Sequence, residues 1–533
     1  MKIKSVILAA VIAAIPASSY AQGRNTGMDS PITKAVMEVY RKQIEENPQD
    51  YETYFRRANE YYRHNDYIRA LSDIDNAIRY TPHKESDMRF QEYTLRANIY
   101  TETKHYSDAL ADLNEALKID PRSYVTIYQK ANMDFELGNY AAAKEGYRQL
   151  QRINQRSQEA LFGLARVAVK ENNIGLADEY VEQAVAMNPA SSDVYVRRAS
   201  VYRLMGNISA AADDLILAIS TDRHNNKALQ ELVNLSDTDY STVISALSNA
   251  IRQAPRVGMF YYIRATIAQH HFKYLAAIND FNKIISERLY DYAGLYASLA
   301  ECYYALGNFQ EALHNIDYAI GSTRHNTDFY VIKARIKNAM GAYEAAMECA
   351  DEVLGRNAES LDAMEQKAYA LIGLKKYQEA SDVLGEMTLN DSENPYYVML
   401  RAWMLAEYLH QPEAAASFYE RVLDMDIPAD NVKSLRGFAL LYLGRNDEAN
   451  RWMEDILRTS GDTDGEEQYY GACFYAQSGN IDKTLESMEQ AMQHGYSNYY
   501  NWKYNDYGRI NVAPLRQLPK FDELMKRFSI LFN

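Results

Sequence analysis

Three asparagines, Asn59, Asn98 and Asn132, are the residues whose type and spacing point most directly to binding chemistry. They recur at similar intervals along the chain, the first interval being slightly longer than the second. An asparagine side chain carries an amide donor and a carbonyl acceptor, so it can bond to one peptide unit of an extended chain. A row of such side chains on one surface would hold a peptide backbone without reading its sequence.

Aromatic residues flank these asparagines at three or four positions to either side, a spacing that shares one face of a helix. They would supply pockets for the side chains of a bound peptide, and arginines occupy comparable positions further along the chain. The predicted peptide-binding groove consists of Asn59, Asn98, Asn132, Phe55, Tyr62, Tyr128, Phe135, Arg166 and Arg203.

Catalytic and metal-binding signatures are missing from the sequence. It contains no G-x-S-x-G, H-E-x-x-H, G-x-G-x-x-G, C-x-x-C or phosphate-loop pattern. The pair His270-His271 is adjacent on a helix, so we expect the rings to point about 100° apart and not to converge on a metal. The three cysteines, Cys302, Cys349 and Cys473, suggest small buried residues and no disulfide framework. We therefore predict a protein that is not an enzyme and has no cofactor or metal.

The elements that position the asparagines are amphipathic helical hairpins, and residues 296–320 show the pattern most clearly. Tyr296, Ala300 and Tyr303 share one helical face, and Ala312 and Ile316 share another. Gly307 and Asn308 mark the turn between the two helices. Two facing alanines let the helices approach closely. A single hairpin of this kind cannot bury its apolar faces, so it needs neighbours.

Small residues recur in phase along the chain, at nearly constant steps. In the first helices they are Ala58, Ala97, Ala131, Ala165, Ala199, Ala265, Ala300, Ala334, Ala368, Ala402, Gly437 and Ala472. In the second helices they are Ala70, Ala109, Ala143, Ala177, Ala211, Ala277, Ala312, Ala346, Ala380, Ala414 and Ala449. This pattern resembles the tetratricopeptide repeat, a resemblance that implies an all-α superhelical solenoid of stacked antiparallel hairpins with about 12–13 repeats.

The repeats divide the chain into six predicted segments. These are a signal peptide (1–21), a flexible start with a capping helix (22–50), an N-terminal array of five repeats (51–225), a degenerate repeat with a possible kink (226–257), a C-terminal array of seven repeats (258–498) and a capping segment (499–533). Asn234 to Asp239 are expected to end the first helix of the degenerate repeat early. The capping segment resembles the ending of many tetratricopeptide-repeat proteins at Asp506, Leu515, Pro519, Phe521 and Leu524.

Residues 1–21 have the pattern of a secretory signal. Lys2 and Lys4 precede an apolar run, and Ser19-Tyr20-Ala21 fits a small-x-small cleavage site. We therefore expect export across the inner membrane to a bacterial periplasm, with peripheral association to the outer membrane as an open option. The net charge of −15 argues against nucleic acid and against an anionic membrane surface. No later run is long enough to span a membrane.

In a solenoid of this kind the first helices line the concave face. We call residues at equivalent positions of successive first helices a column. The columns on the face that carries the three asparagines continue in later repeats, for example with Glu301, Tyr304, Arg335 and Asn338. The asparagines are similar to the peptide-holding asparagines of other tetratricopeptide domains, although the basic residues that would clamp a terminal carboxylate are not clearly in place. We expect a non-catalytic protein-interaction scaffold of the envelope that binds extended peptides or protein surfaces. The alternative is a carbohydrate-binding protein that uses its 45 tyrosines with Trp403, Trp452 and Trp502.

Overall fold

The computed structural model describes residues 31–289, 292–391, 394–425, 433–459, 461–462, 464–504 and 513–528. Over these residues it contains thirty α-helices and no β-strand. The fold is the predicted all-α solenoid, in which most helices pack on the next one along the chain. The chain forms two compact units, one ending at Ala246 and the other beginning at Leu247. The predicted signal segment and Asp506 lie outside the described residues.

The N-terminal unit contains a lone helix followed by helical hairpins. Its helices are α1 (Pro31–Glu46), α2 (Tyr51–Arg63), α3 (Tyr67–Tyr80), α4 (Ser86–Glu102), α5 (Tyr106–Ile119), α6 (Tyr124–Glu136), α7 (Tyr140–Ile153), α8 (Gln158–Lys170), α9 (Ile174–Met187), α10 (Ser192–Leu204), α11 (Ile208–Thr221) and α12 (Asn226–Thr238). The boundary between the units falls within α13 (Tyr240–Gln253).

The C-terminal unit contains the remaining hairpins and three short final helices. Its helices are α14 (Gly258–His270), α15 (Tyr274–Glu287), α16 (Ala293–Ala305), α17 (Phe309–Ser322), α18 (Thr327–Ala339), α19 (Tyr343–Leu354), α20 (Leu361–Gly373), α21 (Tyr377–Asn390), α22 (Pro395–Glu407), α23 (Pro412–Asp424), α24 (Lys433–Tyr442), α25 (Asn446–Thr459), α26 (Glu466–Gln477), α27 (Ile481–Gln493), α28 (Tyr499–Lys503), α29 (Ala513–Arg516) and α30 (Phe521–Arg527).

The hairpin α16–α17 shows how the repeat forms. Gly307 follows the end of α16 with φ of +76°, a left-handed conformation that glycine adopts without strain. The side chain of Asn308 then caps α17 by accepting a hydrogen bond from the amide of Glu311. Ala300 and Ala312 are fully buried between the two helices, within a cluster that includes Ile316. The turn and the small core residues are therefore as predicted.

The predicted phase of the small residues needs one correction, in α23. Ala414 is only half-buried, whereas Ala415 is fully enclosed and takes the core position. The turn from α22 to α23 contains Tyr408 to Gln411, one residue more than the turn from α16 to α17. The extra residue shifts the register of α23 by one.

The predicted early break in the degenerate repeat is wrong, because α12 continues to Thr238. Leu229, Leu232 and Leu235 are buried along one face of the helix. This burial outweighs the weak helix propensity of the polar residues at its end. The irregularity lies in the turn instead, because only Asp239 separates α12 from α13, and its side chain caps α13 by accepting from the amide of Thr242.

Ion pairs hold the two helices of several repeats together. In four repeats an arginine directly before the small residue of the first helix makes two parallel hydrogen bonds of 2.6–2.8 Å to an aspartate on the second helix. The pairs are Arg57–Asp73, Arg96–Asp112, Arg198–Asp214 and Arg264–Asp280. The aspartates are largely buried, so the bidentate geometry compensates for the loss of water. The sequence separation between arginine and aspartate is the same in all four pairs, so these ion pairs could be predicted from the sequence.

The close approach of the helices predicts a steric penalty for larger residues at the core positions. Ala143 is fully buried in α7, whereas its neighbour Ala142 is exposed. We expect Ala143→Leu to lower the free energy of unfolding by about 1–3 kcal/mol, because the added atoms overpack the core. Ala142→Leu serves as the control and should change it by less than about 0.5 kcal/mol. Chemical denaturation followed by circular dichroism measures both, and equal effects would contradict the predicted phase.

Candidate functional site

The predicted asparagine row lies on α2, α4 and α6, three successive first helices of the N-terminal unit. Asn59 is exposed, while Asn98 and Asn132 are half-buried. The Nε2 of Gln129 donates to Oδ1 of Asn98 at 2.6 Å, and the hydroxyl of Tyr147 donates to Oδ1 of Asn132 at 2.7 Å. Neighbouring residues therefore already bind the carbonyl oxygens of these two side chains, which orients their amide groups. We find no partner for either Nδ2 group among the described residues.

The aromatic side chains of the predicted groove are partly or largely buried, whereas residues that line open pockets would be more exposed. Phe55, Tyr62 and Tyr128 are half-buried against the cores of their repeats. Phe135 is only 5% exposed, and the guanidinium of Arg166 lies 4.0 Å from its ring centroid. The expectation that Phe135 forms a side-chain pocket is therefore wrong, since it is a core residue covered by Arg166.

The two arginines of the predicted groove already have acidic neighbours. Arg166 donates to Glu136 at 2.7 Å, which together with the stack on Phe135 fixes its side chain. Arg203 is more exposed and lies 3.8 Å from Glu231, too far for a hydrogen bond. Of the two, Arg203 is the one that remains open to a partner.

In the C-terminal unit the same columns carry a row of charged and polar residues, which we call the inner polar row: Gln269, Glu301 and Arg335. Gln269 donates to Glu301 at 3.3 Å, and Arg335 lies 3.6 Å from the other carboxylate oxygen. Burial raises the pKa of Glu301, and the nearby Arg335 opposes that effect. Periodicity placed Glu301 and Arg335 in one column, but the contacts between them come from the structure.

A second polar group continues this face on α20 and α22. The hydroxyl of Tyr369 donates to Glu365 at 2.9 Å and lies 3.1 Å from the hydroxyl of Tyr396, which also donates to Glu365. Like the asparagine row, this group offers hydrogen-bonding side chains on successive first helices. These residues do not stand out in the sequence, since a tyrosine at a repeat position is equally consistent with packing.

The end of the last repeat and the start of the capping segment together have a role that the sequence did not reveal. We call residues 494–504 the closing segment. The hydroxyl of Ser497 donates to the carbonyl oxygen of Phe272, and the Nζ of Lys273 donates to the carbonyl oxygens of His494 and Gly495 at 3.2 Å. The closing segment therefore contacts the first hairpin of its own unit, which lies far earlier in the chain.

Aromatic packing completes this contact. The ring of Tyr500 lies 4.5 Å from that of Tyr304, and Tyr496 lies 4.8 Å from Phe272. Phe272 has φ of +58°, an uncommon conformation for a bulky residue, and the contacts with Ser497 and Tyr496 help to hold it there. The hairpins of the C-terminal unit thus close on themselves. Within the predicted capping segment Leu515 and Phe521 are buried, and α29 packs on α26.

The tryptophans, the histidine pair and the cysteines that the sequence singles out are mostly buried. Trp403 and Trp502 are buried, which contradicts their proposed stacking on sugars, and Trp452 is half-buried. The rings of His270 and His271 are both buried and meet edge-on with centroids 4.9 Å apart, so the expectation that they diverge is wrong. Cys302 and Cys473 are buried thiols, and Cys349 is half-buried.

Comparisons with known proteins identify the repeats. Family models described as tetratricopeptide repeat match residues 93–123, 162–223 and 338–404, so matched repeats occur in both compact units. No curated protein matches the chain. Among the residues that the structure describes, no helix has both the length and the apolar character needed to cross a membrane.

Several solved structures are similar to the chain. A tetratricopeptide repeat protein from Parabacteroides merdae is 20% identical with a TM-score of 0.29, and the match covers 54% of this chain and 98% of that chain. Yeast Tom70 is 14% identical with a TM-score of 0.35, covering 77% and 97%. YrrB, described as having an unusual peptide-binding site, is 22% identical with a TM-score of 0.27, covering 36% and 96%.

Proposed function

We propose a function from the premise that the chain is a multi-repeat tetratricopeptide-repeat protein. Such repeats support a role as a protein–protein interaction scaffold. The specific proposal is a non-catalytic scaffold of the bacterial cell envelope that holds extended peptide segments of partner proteins along the first helices of its N-terminal unit. The export pattern in residues 1–21 supports the envelope location.

The observation that carries this proposal is the arrangement of Asn98 and Asn132. Their carbonyl oxygens accept from Gln129 and Tyr147, so the amide groups are oriented before any partner arrives. A donor whose direction is already fixed loses less conformational entropy when it binds. Asn59 extends the row on the preceding first helix with an exposed side chain. Each amide can donate to a carbonyl oxygen of an extended peptide, which any sequence provides.

The experiment that tests this proposal is site-specific photo-crosslinking in the envelope. A photo-reactive residue at Asn59 samples the asparagine row, and one at Asn114, exposed on the second helix α5, is the matched control. We expect protein adducts at Asn59 and not at Asn114, and mass spectrometry identifies the partner. Equal adduct yields at the two positions, or none at Asn59, would refute the proposed groove.

The asparagine amides themselves can then be tested with the captured partner peptide. We expect the double variant Asn98→Ala/Asn132→Ala to bind it about tenfold more weakly, because each neutral hydrogen bond contributes about 0.5–1.5 kcal/mol. Fluorescence anisotropy measures the affinity, and far-UV circular dichroism checks that the helical content is unchanged. Asn114→Ala is the control. Unchanged affinity in the double variant would exclude these amides from the site.

A further inference from the structure

Many first helices have a lysine or arginine directly before their small core residue. In most of these repeats a carboxylate pairs with that cation. Besides the four bidentate arginine–aspartate pairs, Lys130 pairs with Asp134 at 2.8 Å, Lys333 with Asp317 at 2.8 Å and Lys367 with Asp351 at 2.7 Å. In most of these pairs the carboxylate lies on a second helix. In some repeats this is the second helix of the same repeat, and in others it is the second helix of the preceding repeat, as for Asp317 and Asp351.

Arg401 occupies the same position in α22, but the sequence has no aspartate or glutamate at either of the two second-helix positions that supply a carboxylate in other repeats. On its own second helix the position of the aspartate is taken by Phe418, whose ring centroid lies 4.7 Å from the guanidinium carbon. On the preceding second helix, α21, the position equivalent to Asp317 and Asp351 is Gly385. Within the part of the chain that the structure describes, no carboxylate contacts Arg401.

The surroundings of Arg401 leave its charge poorly compensated. Its Nη1 donates at 2.9 Å to the hydroxyl of Thr388, which itself donates to the carbonyl oxygen of Gly385. Its buried Nε–H has no hydrogen-bond partner among the described residues. Burial lowers the pKa of Arg401, and the nearby positive charge of Arg421 lowers it further. A partly buried charge without a counter-ion is costly, and that cost falls when an anion binds.

We propose that the guanidinium of Arg401 is a docking site for a carboxylate on an acidic segment of a partner protein. A carboxylate is the group that pairs with the cation at this position in most of the other repeats that have one, and its two oxygens match the fork of a guanidinium. A Cβ added at Gly385 would lie 3.5 Å from Nη2 of Arg401, in ordinary van der Waals contact. The C-terminal unit therefore has an interaction site between α21, α22 and α23 that is separate from the asparagine row.

Gly385 allows a direct test of this site, because a substitution there can place a carboxylate of the protein itself next to Arg401. The variant Gly385→Asp places an acid where Asp317 and Asp351 serve in other repeats, and it should fill the site. Gly385→Ala is the matched control, since it adds a Cβ without a charge. Arg401→Gln removes the cation. The probe is a fluorescein-labelled hexaglutamate peptide, with hexaglutamine as the uncharged comparison, measured by fluorescence anisotropy on the full-length protein.

We expect the native protein and Gly385→Ala to bind hexaglutamate but not hexaglutamine. Gly385→Asp and Arg401→Gln should each weaken that binding at least about tenfold, as expected when a hydrogen bond to a charged group is lost. The variant Asn98→Ala/Asn132→Ala should bind it normally, which separates this site from the proposed function. Absence of hexaglutamate binding, unchanged binding in Gly385→Asp, or displacement of hexaglutamate by equimolar inorganic phosphate would overturn the proposal of a carboxylate site.

Discussion

Replacing Asp112 by alanine is expected to lower the free energy of unfolding by about 3–5 kcal/mol, because it leaves the guanidinium of Arg96 without its bidentate partner in a largely buried position. Asp112 accepts two hydrogen bonds of 2.7 Å from Arg96, and its side chain is 6% exposed. These hydrogen bonds raise the pKa of Arg96, a group that is charged at any ordinary pH, so the arginine stays charged in the variant. Chemical denaturation followed by circular dichroism measures the change.

The same arginine provides an internal control. Asp75 also pairs with Arg96, at 2.6 Å, but its side chain is 46% exposed. We expect Asp75→Ala to cost less than about 1 kcal/mol, as exposed ion pairs do. The double variant Arg96→Met/Asp112→Leu should recover most of the stability that Asp112→Ala loses, because it removes the buried charge as well. If Asp75→Ala and Asp112→Ala cost the same, burial does not determine the strength of this pair.

Replacing Trp502 by alanine is expected to open the closing segment and to lower the free energy of unfolding by about 3–5 kcal/mol. Trp502 is fully buried, packs edge-on against Tyr469 at 4.8 Å between ring centroids, and lies 5.8 Å from Tyr496. Tyr496 is also the residue that contacts Phe272. The cavity left by Trp502 would therefore loosen the anchor of the contact with the first hairpin of the unit.

Hydrogen exchange detected by mass spectrometry distinguishes this opening from general destabilisation. In Trp502→Ala we expect faster exchange in peptides that cover residues 272–274 and 304–309, although the substitution lies far away in sequence. Trp452→Ala is the matched control, since Trp452 is half-buried in another hairpin outside the closing segment. It should lower stability without faster exchange at residues 272–274. Unchanged exchange there in Trp502→Ala would show that the segment stays docked without its tryptophan.

Much of the fold was predictable because its determinants are local. A left-handed residue ends a helix, a side chain caps the next one, and a small residue lets the pair approach, all within a single hairpin, as Gly307, Asn308 and Ala312 illustrate. The errors were local as well. Ala414 lost its position to Ala415 through one extra residue in a turn. The first helix of the degenerate repeat continued because its leucines were buried.

The candidate site was predictable only in part. The repeat spacing put Asn59, Asn98 and Asn132 in one column. That spacing does not show which of their side-chain atoms already form hydrogen bonds within the protein. Gln129 and Tyr147 occupy the carbonyl oxygens of Asn98 and Asn132, and Arg166 covers Phe135. Such side-chain contacts depend on rotamers at neighbouring helices, which a repeat pattern does not specify.

The sequence by itself determined the helices, their pairing and the buried small residues, since each hairpin contacts mainly its neighbours. Only the tertiary structure decided that Ser497 meets Phe272 and that Tyr500 meets Tyr304. That contact depends on the small rotation from each hairpin to the next, summed over the whole C-terminal unit. The repeating pattern fixes each step closely enough to define a hairpin, but not closely enough to place the end of the array against its beginning.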